Sequence, residues 1–384
     1  VNFELNEQQR MIRDLARDFA KREIAPVAAQ LDRDEAFPTE VVKKMGELGL
    51  MGMNVATEFG GAGLDSLSYV LAVEEVSKAC ASCGVIMSVN NSLVCWPLET
   101  YGTEAQKRRW LEPLASGRKL GAYCLSEPGA GTDAAAQLTT AQWDGDDWII
   151  NGMKNFITNG AHADTLLVFA QTDPEQGHHG IRAFIVDAAS EGFSVIRKEE
   201  KMGIRASDTA QLAFDKVRVP DDQVLGEQNK GFRLAMGTLD GGRVGIAAQA
   251  LGISAAAYEA ALAYSREREQ FGRPIAEFQA IQWKIADMAT RLDAARLLTY
   301  RAAWAKDQGH RYSEQASMAK LFASEASHYI TNEAVQIFGG NGYSKEYPVE
   351  RHFRDAKITE IYEGTSEAQR MVIASAELKK AASA

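Results

Sequence analysis

The sequence predicts an α+β multidomain chain: an N-terminal α-helical domain (residues 1–120), a middle antiparallel β-barrel-like domain (121–228) and a C-terminal four-helix bundle (229–384). Three observations carry this expectation. Helical periodicity runs through the first part, short apolar runs spaced by turn residues replace it from Gly121, and helical periodicity returns after Gly231. Segregated α, β and α parts argue against a doubly wound parallel sheet, in which strands and helices would alternate. A length of 384 residues exceeds one ordinary core and suits two or three domains at about 150 residues each.

In the first part, Asn6 and Gln9 have capping-box spacing, and Met11, Ile12, Leu15 and Phe19 recur at helical intervals. Similar patterns follow Pro38 (Val41, Val42, Met45, Leu48), run from Tyr69 to Val76 and from Thr103 to Leu114, and are punctuated by Gly60-Gly61-Ala62-Gly63. The middle part offers Trp148-Ile149-Ile150, Leu166-Leu167-Val168-Phe169 and Ala183-Phe184-Ile185-Val186 as strands. Asp144-Gly145, Asn151-Gly152 and Asn159-Gly160 tolerate positive φ and are expected in tight hairpin turns. The last part reads as helices near 231–267, 275–307, 313–338 and 358–379, broken by Pro274, Gly309 and Gly339-Gly340.

Composition excludes several classes. Hydrophobic residues at 46% and charged residues at 24% describe an ordinary globular protein. A net charge of −10 argues against a nucleic-acid partner, which needs clustered Lys and Arg. No apolar run approaches the roughly 20 residues that span a bilayer. Val1-Asn2-Phe3-Glu4 lacks a basic segment followed by an apolar one, so a soluble, unexported chain with no membrane partner is expected. Cys80, Cys83, Cys95 and Cys124 are too few and too uneven for a disulfide framework. The Cys80-x-x-Cys83 spacing has no second pair to complete a zinc site and reads as buried small side chains. Only His178 and His179 adjoin among the histidines, in a polar loop, and no metal site is expected. The chain holds no G-x-G-x-x-G after a strand, no G-x-x-x-x-G-K-[ST], no H-E-x-x-H and no G-x-S-x-G.

Four segments carry the remaining chemistry. Tyr123-Cys124-Leu125-Ser126-Glu127-Pro128-Gly129-Ala130-Gly131-Thr132-Asp133 can expose backbone N–H groups to an anion, although such a turn alone is ordinary. Phe156-Ile157-Thr158-Asn159-Gly160 follows, then Gln336-Ile337-Phe338-Gly339-Gly340-Asn341-Gly342-Tyr343. Last comes Arg354-Asp355-Ala356-Lys357-Ile358, leading into Ile361-Tyr362-Glu363-Gly364-Thr365. In this order and spacing the segments resemble the acyl-CoA dehydrogenases, from end to end of the chain. Gly84-Val85-Ile86-Met87-Ser88-Val89-Asn90-Asn91-Ser92-Leu93 and Thr238-Leu239-Asp240-Gly241-Gly242-Arg243 look most like the short-chain, butyryl-CoA branch.

The resemblance implies one FAD per subunit, bound without a Rossmann fingerprint, and a homotetramer built as a dimer of dimers. It places Tyr123, Leu125, Ser126, Gly131 and Thr132 along the flavin and pyrophosphate, and Phe156, Ile157 and Thr158 beside the isoalloxazine ring. Many relatives carry Trp where this chain has Phe156, which keeps an apolar face and drops an N–H donor. Arg268, Gln279 and the segment Gln336, Ile337, Gly339 and Gly340 match residues that bind the cofactor from a neighbouring subunit. Phe271, Thr365, Ser366 and Glu367 are further cofactor positions. Guanidinium pairs with pyrophosphate, and glycines let a backbone come close.

For the substrate, the resemblance implies Thr132, Asp240, Gly241, Gly242, Arg243, Tyr362 and Gly364, with Arg243 equally suited to an ion pair inside the bundle. Glu363 is the implied base. It removes the α-proton of an acyl-CoA while the β-hydrogen leaves as hydride to the flavin, giving a trans-2-enoyl-CoA in fatty-acid β-oxidation. Electrons then pass to an electron-transferring flavoprotein. The backbone N–H of Glu363 and a ribityl hydroxyl form the implied oxyanion hole, because a thioester α-proton leaves only if charge on the carbonyl oxygen is stabilised. Burial should raise the pKa of Glu363. Some branches place the base near Gly242, where this chain has none. The competing readings are an acyl-CoA oxidase, a branched-chain or glutaryl-CoA relative, and a non-catalytic flavin or acyl-CoA binding protein. The expected location is the cytoplasm of a bacterium, or the mitochondrial matrix for a processed eukaryotic form.

Overall fold

A computed structural model of the chain describes residues 4–383, so the reading of Val1-Asn2-Phe3 lies outside the described residues. The capping box forms as read: Asn6 Oδ1 accepts from Gln9 N at 2.8 Å and Gln9 Oε1 accepts from Asn6 N at 3.0 Å. It opens α1 (Glu7–Phe19), followed by α2 (Ala25–Asp34), α3 (Thr39–Glu47), α4 (Ser66–Ala79), α5 (Ala81–Ser88), α6 (Trp96–Tyr101), α7 (Glu104–Gln106) and α8 (Glu112–Ala115). Helix α5 runs on into a π-helical stretch, Val89–Cys95. Every residue from Ala81 to Cys95 is buried, so this segment has no polar face and offers no helical stripe to read. The four cysteines are free and buried, and Cys80 is the extended residue at which α4 stops and α5 begins.

The middle part is an eight-stranded sheet. Its strands are β1 (Gly121–Cys124), β2 (Thr140–Trp143), β3 (Asp147–Thr158), β4 (Thr165–Gln171), β5 (Ile181–Asp187), β6 (Phe193–Lys198), β7 (Thr209–Pro220) and β8 (Val224–Leu225). The hydrogen-bonded path β6-β7-β3-β2-β4-β5-β8 is open, and β1 joins it at β4. Most pairings are antiparallel as expected, with a correction: β1 lies parallel to β4, and β2 meets β4 in parallel at Thr140 and Gln171. All seven residues of β4 are buried, the continuous apolar pattern of a strand covered on both faces and flanked on both edges.

Asp144-Gly145 does turn β2 into β3, with Trp143 paired to Trp148. Asn151-Gly152 does not make a hairpin. It is a bulge inside β3, where the register with β7 shifts between Ile150 and Gly152. Gly152 has φ +151, and a Cβ there would meet Thr139 Oγ1 at 2.5 Å. Asn159-Gly160 is a turn, but it leads to β4, which is not hydrogen-bonded to β3.

The C-terminal part holds α9 (Gly231–Glu267), α10 (Gln279–Asp307), α11 (Ser313–Phe338), α12 (Val349–Ile358) and α13 (Ser366–Ser383). The expected helix at 358–379 is interrupted: α12 ends at Ile358 and α13 starts only at Ser366. Residues 359–365 form a turn with positive φ at Glu363 and Gly364, a conformation that cannot continue a right-handed helix. By length and composition α9 is apolar enough to cross a membrane, a point the sequence reading missed. Yet 67% of its most apolar window is buried, because it is the central helix of the bundle, packed by α4, α5, α10 and α11. One core cluster joins α1, α4, α9, α10 and α11, and a second joins the stretch 81–98, β4, β5 and the start of α9.

A buried seam locks the parts together. Arg354 of α12 donates to both oxygens of Asp32 (3.1 and 2.7 Å) and to Glu350 (2.7 and 3.0 Å), while Asp355 accepts from Ile204 N at 2.5 Å. This seam fixes α12, and with it the turn that follows.

Candidate active site

The turn 359–365 is built from both ends. Ile361 N and Tyr362 N donate to Ile358 O (2.9 and 3.1 Å), and Ser366 N reaches back to Glu360 O at 2.9 Å. Thr365 Oγ1 accepts from Ala368 N at 3.3 Å, capping α13. Between these anchors Glu363 takes φ +52 and Gly364 φ +94. For glycine this is free; for glutamate it costs about 1–3 kcal/mol and persists only where the surroundings enforce it.

The strain aims the side chain at α9. A Cβ built on Gly242 would collide with Glu363 Oε2 and lie 2.7 Å from Leu93 Cδ2. The carboxylate therefore occupies the space that any other residue at 242 would fill. Although the residue as a whole is half-buried, both carboxylate oxygens are shut off from solvent and neither accepts a hydrogen bond. Burial pushes its pKa up to about 7, with Lys320 and Arg243 pulling in the opposite direction. Among the described residues the N–H of Glu363 has no acceptor. A raised, unpartnered carboxylate beside an unused N–H can take a proton and donate a hydrogen bond to the same ligand.

The implied substrate residues surround this point, with their polar groups already committed in part. Arg243 Nη1 pairs with Asp240 Oδ1 at 2.6 Å, and Asp240 also accepts from Ser313 Oγ. The bundle ion pair is thus formed, while Arg243 Nε is buried without a partner. The Tyr362 hydroxyl is hydrogen-bonded to Gln249 Oε1, and Gly241 faces the Tyr312 hydroxyl. Thr132 is exposed on the loop after β1.

Four of the implied cofactor residues bury their side chains among other protein groups. Tyr123 packs against Phe169 and its hydroxyl donates to Ala235 O at 3.2 Å; Leu125, Ile157 and Ile337 sit in the hydrophobic cores. Ser126, Gly131 and Thr132 lie on the loop, which is tied to β3 by Asn155 N donating to Ser126 O at 2.9 Å. Phe156 is 65% exposed with φ +56, presenting its ring beside that loop, and Thr158 is half-buried two residues on. Ser366 Oγ is buried without a partner, and Glu367 is exposed at the start of α13.

Arg268, Phe271, Gln279, Gln336, Gly339 and Gly340 gather elsewhere, at the far end of the bundle. There Tyr264 of α9 stacks on Phe338 with ring centroids 4.0 Å apart, and its hydroxyl accepts from Asn341 Nδ2 at 2.9 Å. About 26 residues of α9 separate Gly242 from Arg268, roughly 39 Å at 1.5 Å per residue. Phe271 is 94% exposed with φ +54, and nothing lies within 4 Å of a Cβ built on Gly339 or Gly340.

Two buried lysines escaped the sequence reading. Lys154, fully buried, donates to Glu127 Oε1 (2.7 Å), Gln137 Oε1 (2.9 Å) and Leu125 O (3.1 Å), while Glu127 also accepts from Leu138 N and Thr139 N. The pair clamps both ends of the loop that carries Gly131 and Thr132. A lysine in step with inward-facing Ile150 was the available signal. Lys320, equally buried, donates to Gly364 O at 2.7 Å and had no signal beyond its place among small helical residues.

The chain's own atoms suit a flavin dinucleotide. Phe156 offers an apolar face, nothing lies within 4 Å of a Cβ built on Gly129 or Gly131, and Asn155 Oδ1 is buried without a partner. Open glycine backbone and the hydroxyls at Ser126, Thr132 and Thr158 fit a flat ring carrying a pyrophosphate.

Known proteins share the three-part plan of the chain. Family models described as the N-terminal, middle and C-terminal domains of acyl-CoA dehydrogenase match residues 6–118, 122–217 and 229–378 in that order. The chain belongs to the acyl-CoA dehydrogenase family. It is 54% identical to the short-chain specific mitochondrial acyl-CoA dehydrogenase of Bos taurus over 98% of this chain and 91% of that one. The solved butyryl-CoA dehydrogenase of Megasphaera elsdenii superposes with a TM-score of 0.97 at 48% identity, over 98% of this chain and 100% of that one. A glutaryl-CoA dehydrogenase of Mycobacterium smegmatis in complex with FADH2 superposes with a TM-score of 0.92 at 34% identity, over 97% and 95% of the two chains.

Two outcomes follow from the site's geometry. Gly242→Ala should leave the fold intact, because the atoms it meets end flexible side chains, yet displace the Glu363 carboxylate. Its kcat should fall by about 10²-fold with normal flavin content, since ångström misplacement costs on that order; unchanged kcat would contradict the packing. The second outcome concerns pH. The folded protein holds the Glu363 proton more tightly than the unfolded chain does. The stability tied to this group is therefore complete below the ordinary value of 4.5 and lost as pH rises through about 7. Glu363→Gln should unfold at a higher temperature than the parent above pH 7 and at a matching temperature below about pH 4.5. A difference that does not vary with pH would refute the raised pKa.

Proposed function

We propose that the chain catalyses FAD-dependent α,β-dehydrogenation of short-chain acyl-CoA thioesters, butyryl-CoA-like in size, to trans-2-enoyl-CoA. The observation that carries this reading is the Glu363 carboxylate: desolvated, without a hydrogen-bond partner, and held over Gly242 by a left-handed turn. Glu363 accepts the α-proton, and its own N–H donates to the thioester oxygen as charge develops there. Bound FAD supplies the acceptor for the hydride that leaves the β-carbon. Leu93 and Tyr362 close the apolar side, keeping water from the base.

The distance along α9 supports an oligomeric site. Arg268, Gln279, Gln336, Gly339 and Gly340 lie too far from Glu363 to complete the same pocket within one chain, so they serve the cofactor of a neighbouring copy. A homotetramer, an electron-transferring flavoprotein as acceptor, and a cytoplasmic or mitochondrial-matrix location complete the reading. Gly242 disfavours the branches that place their base on α9, and Glu363 disfavours a non-catalytic binding role.

Anaerobic titration with acyl-CoAs of increasing length tests the proposal. Loss of the flavin's visible absorbance should be greatest with butyryl-CoA, and Glu363→Gln should retain FAD yet reduce it several orders of magnitude more slowly. A colourless protein, or a flavin that no acyl-CoA bleaches, would sink the reading.

A further inference from the structure

Lys320 lies on α11 among Ala316, Ser317, Ala319, Ala323 and Ser324, all buried, and is itself fully buried. Its ammonium reaches out of this small-residue stripe to one acceptor, Gly364 O, at 2.7 Å. That carbonyl already has a donor, Gln369 Nε2 at 2.9 Å, so satisfying a buried acceptor does not require a lysine. Burying a cation is costly unless its charge is used. What Lys320 adds is a positive charge beside the turn, facing the carboxylate that Gly242 leaves room for.

We propose that Lys320 is the positioning residue for Glu363: it anchors Gly364 O, holds the left-handed turn that aims the base, and sets the charge balance around it. The inference rests on Glu363 being the base. Charged and titratable groups face this pair from α9, α13, α4, β1 and the turn itself, where Tyr362 adjoins Glu363. Arg243 comes from α9, Glu360 from the turn and Glu367 from α13; Tyr69 of α4 and Tyr123 of β1 face Glu363 itself. Burial pulls the Lys320 ammonium down to about 8, while Glu363, Glu360 and Glu367 oppose that fall and Arg243 adds to it. Glu363 is pushed up to about 7 by burial, against the pull of Lys320 and Arg243. Removing the Lys320 charge deletes one of the two influences that hold the carboxylate down, so the proton on Glu363 must then leave at higher pH.

The test uses FAD-loaded, full-length Lys320→Met and Lys320→Gln beside the parent and Glu363→Gln. Glutamine keeps a donor for Gly364 O without the charge; methionine keeps neither. Infrared difference titration of the Glu363 carboxyl, assigned by its disappearance in Glu363→Gln, reads the protonation midpoint without turnover. Both Lys320 variants should titrate at higher pH than the parent. The kcat–pH profile should move the same way, with kcat down about 10- to 100-fold in Lys320→Met, KM changed by less than about threefold, and Lys320→Gln recovering part of the loss above its midpoint. A folded Lys320→Gln that keeps the parent midpoint overturns the proposal. So does failure of both variants to fold, which would make Lys320 a residue of the fold alone. Near-normal turnover by Glu363→Gln would instead overturn the choice of base, a separate result.

Discussion

A carboxylate withdrawn from water and left without a hydrogen bond is the constraint around which the C-terminal half is arranged. Ionised carboxylates avoid such places unless a fold forces them there. Here the force is distributed. The Arg354 and Asp355 seam fixes α12, α12 delivers the chain to a turn with φ +52 at Glu363, and the absence of a Cβ at Gly242 admits the carboxylate against α9. Strain and desolvation are both unfavourable, and both are functional: the first sets direction, the second raises proton affinity to match neutral pH.

The β-domain follows a similar logic with the opposite outcome. Its buried charge, Lys154, is fully partnered by Glu127, Gln137 and Leu125 O, and the loop from Leu125 to Thr139 hangs from that cluster. A buried ammonium met by three acceptors makes a rigid support, whereas an unsatisfied carboxylate makes a reactive one. The loop can thus present open backbone at Gly129 and Gly131 while its ends stay fixed. Phe156, on its own left-handed residue, stands next to it because β3 loses register with β7 between Lys154 and Ile157. Strained backbone marks both faces of the proposed site.

Much of this was legible in the sequence where patterns were regular. The Asn6–Gln9 cap, the apolar strands at 166–169 and 183–186, and the long bundle helices follow from periodicity and turn chemistry alone. What failed did so for identifiable reasons. Residues 81–95 are buried on every side and carry no stripe; Asn151-Gly152 has hairpin composition but serves a bulge; β4 tolerates a parallel neighbour because it is covered on both faces. The helix expected through 358–379 breaks because left-handed φ at Glu363 is imposed by tertiary contacts that no local preference encodes. For the same reason Glu363 was unremarkable on its own and became the candidate base only through resemblance. The burial of Tyr123, Leu125, Ile157 and Ile337 was likewise not legible, because a position along the chain does not give the direction of a side chain.

The central claim is that Glu363 takes the proton from the substrate's α-carbon. Solvent deuterium exchange tests it most directly, using a bound acyl-CoA analogue whose β-position cannot release hydride, with mass spectrometry reading label at the α-carbon. The parent should wash deuterium into that position and Glu363→Gln should not. Exchange that persists in Glu363→Gln at the parental rate would show that another group is the base.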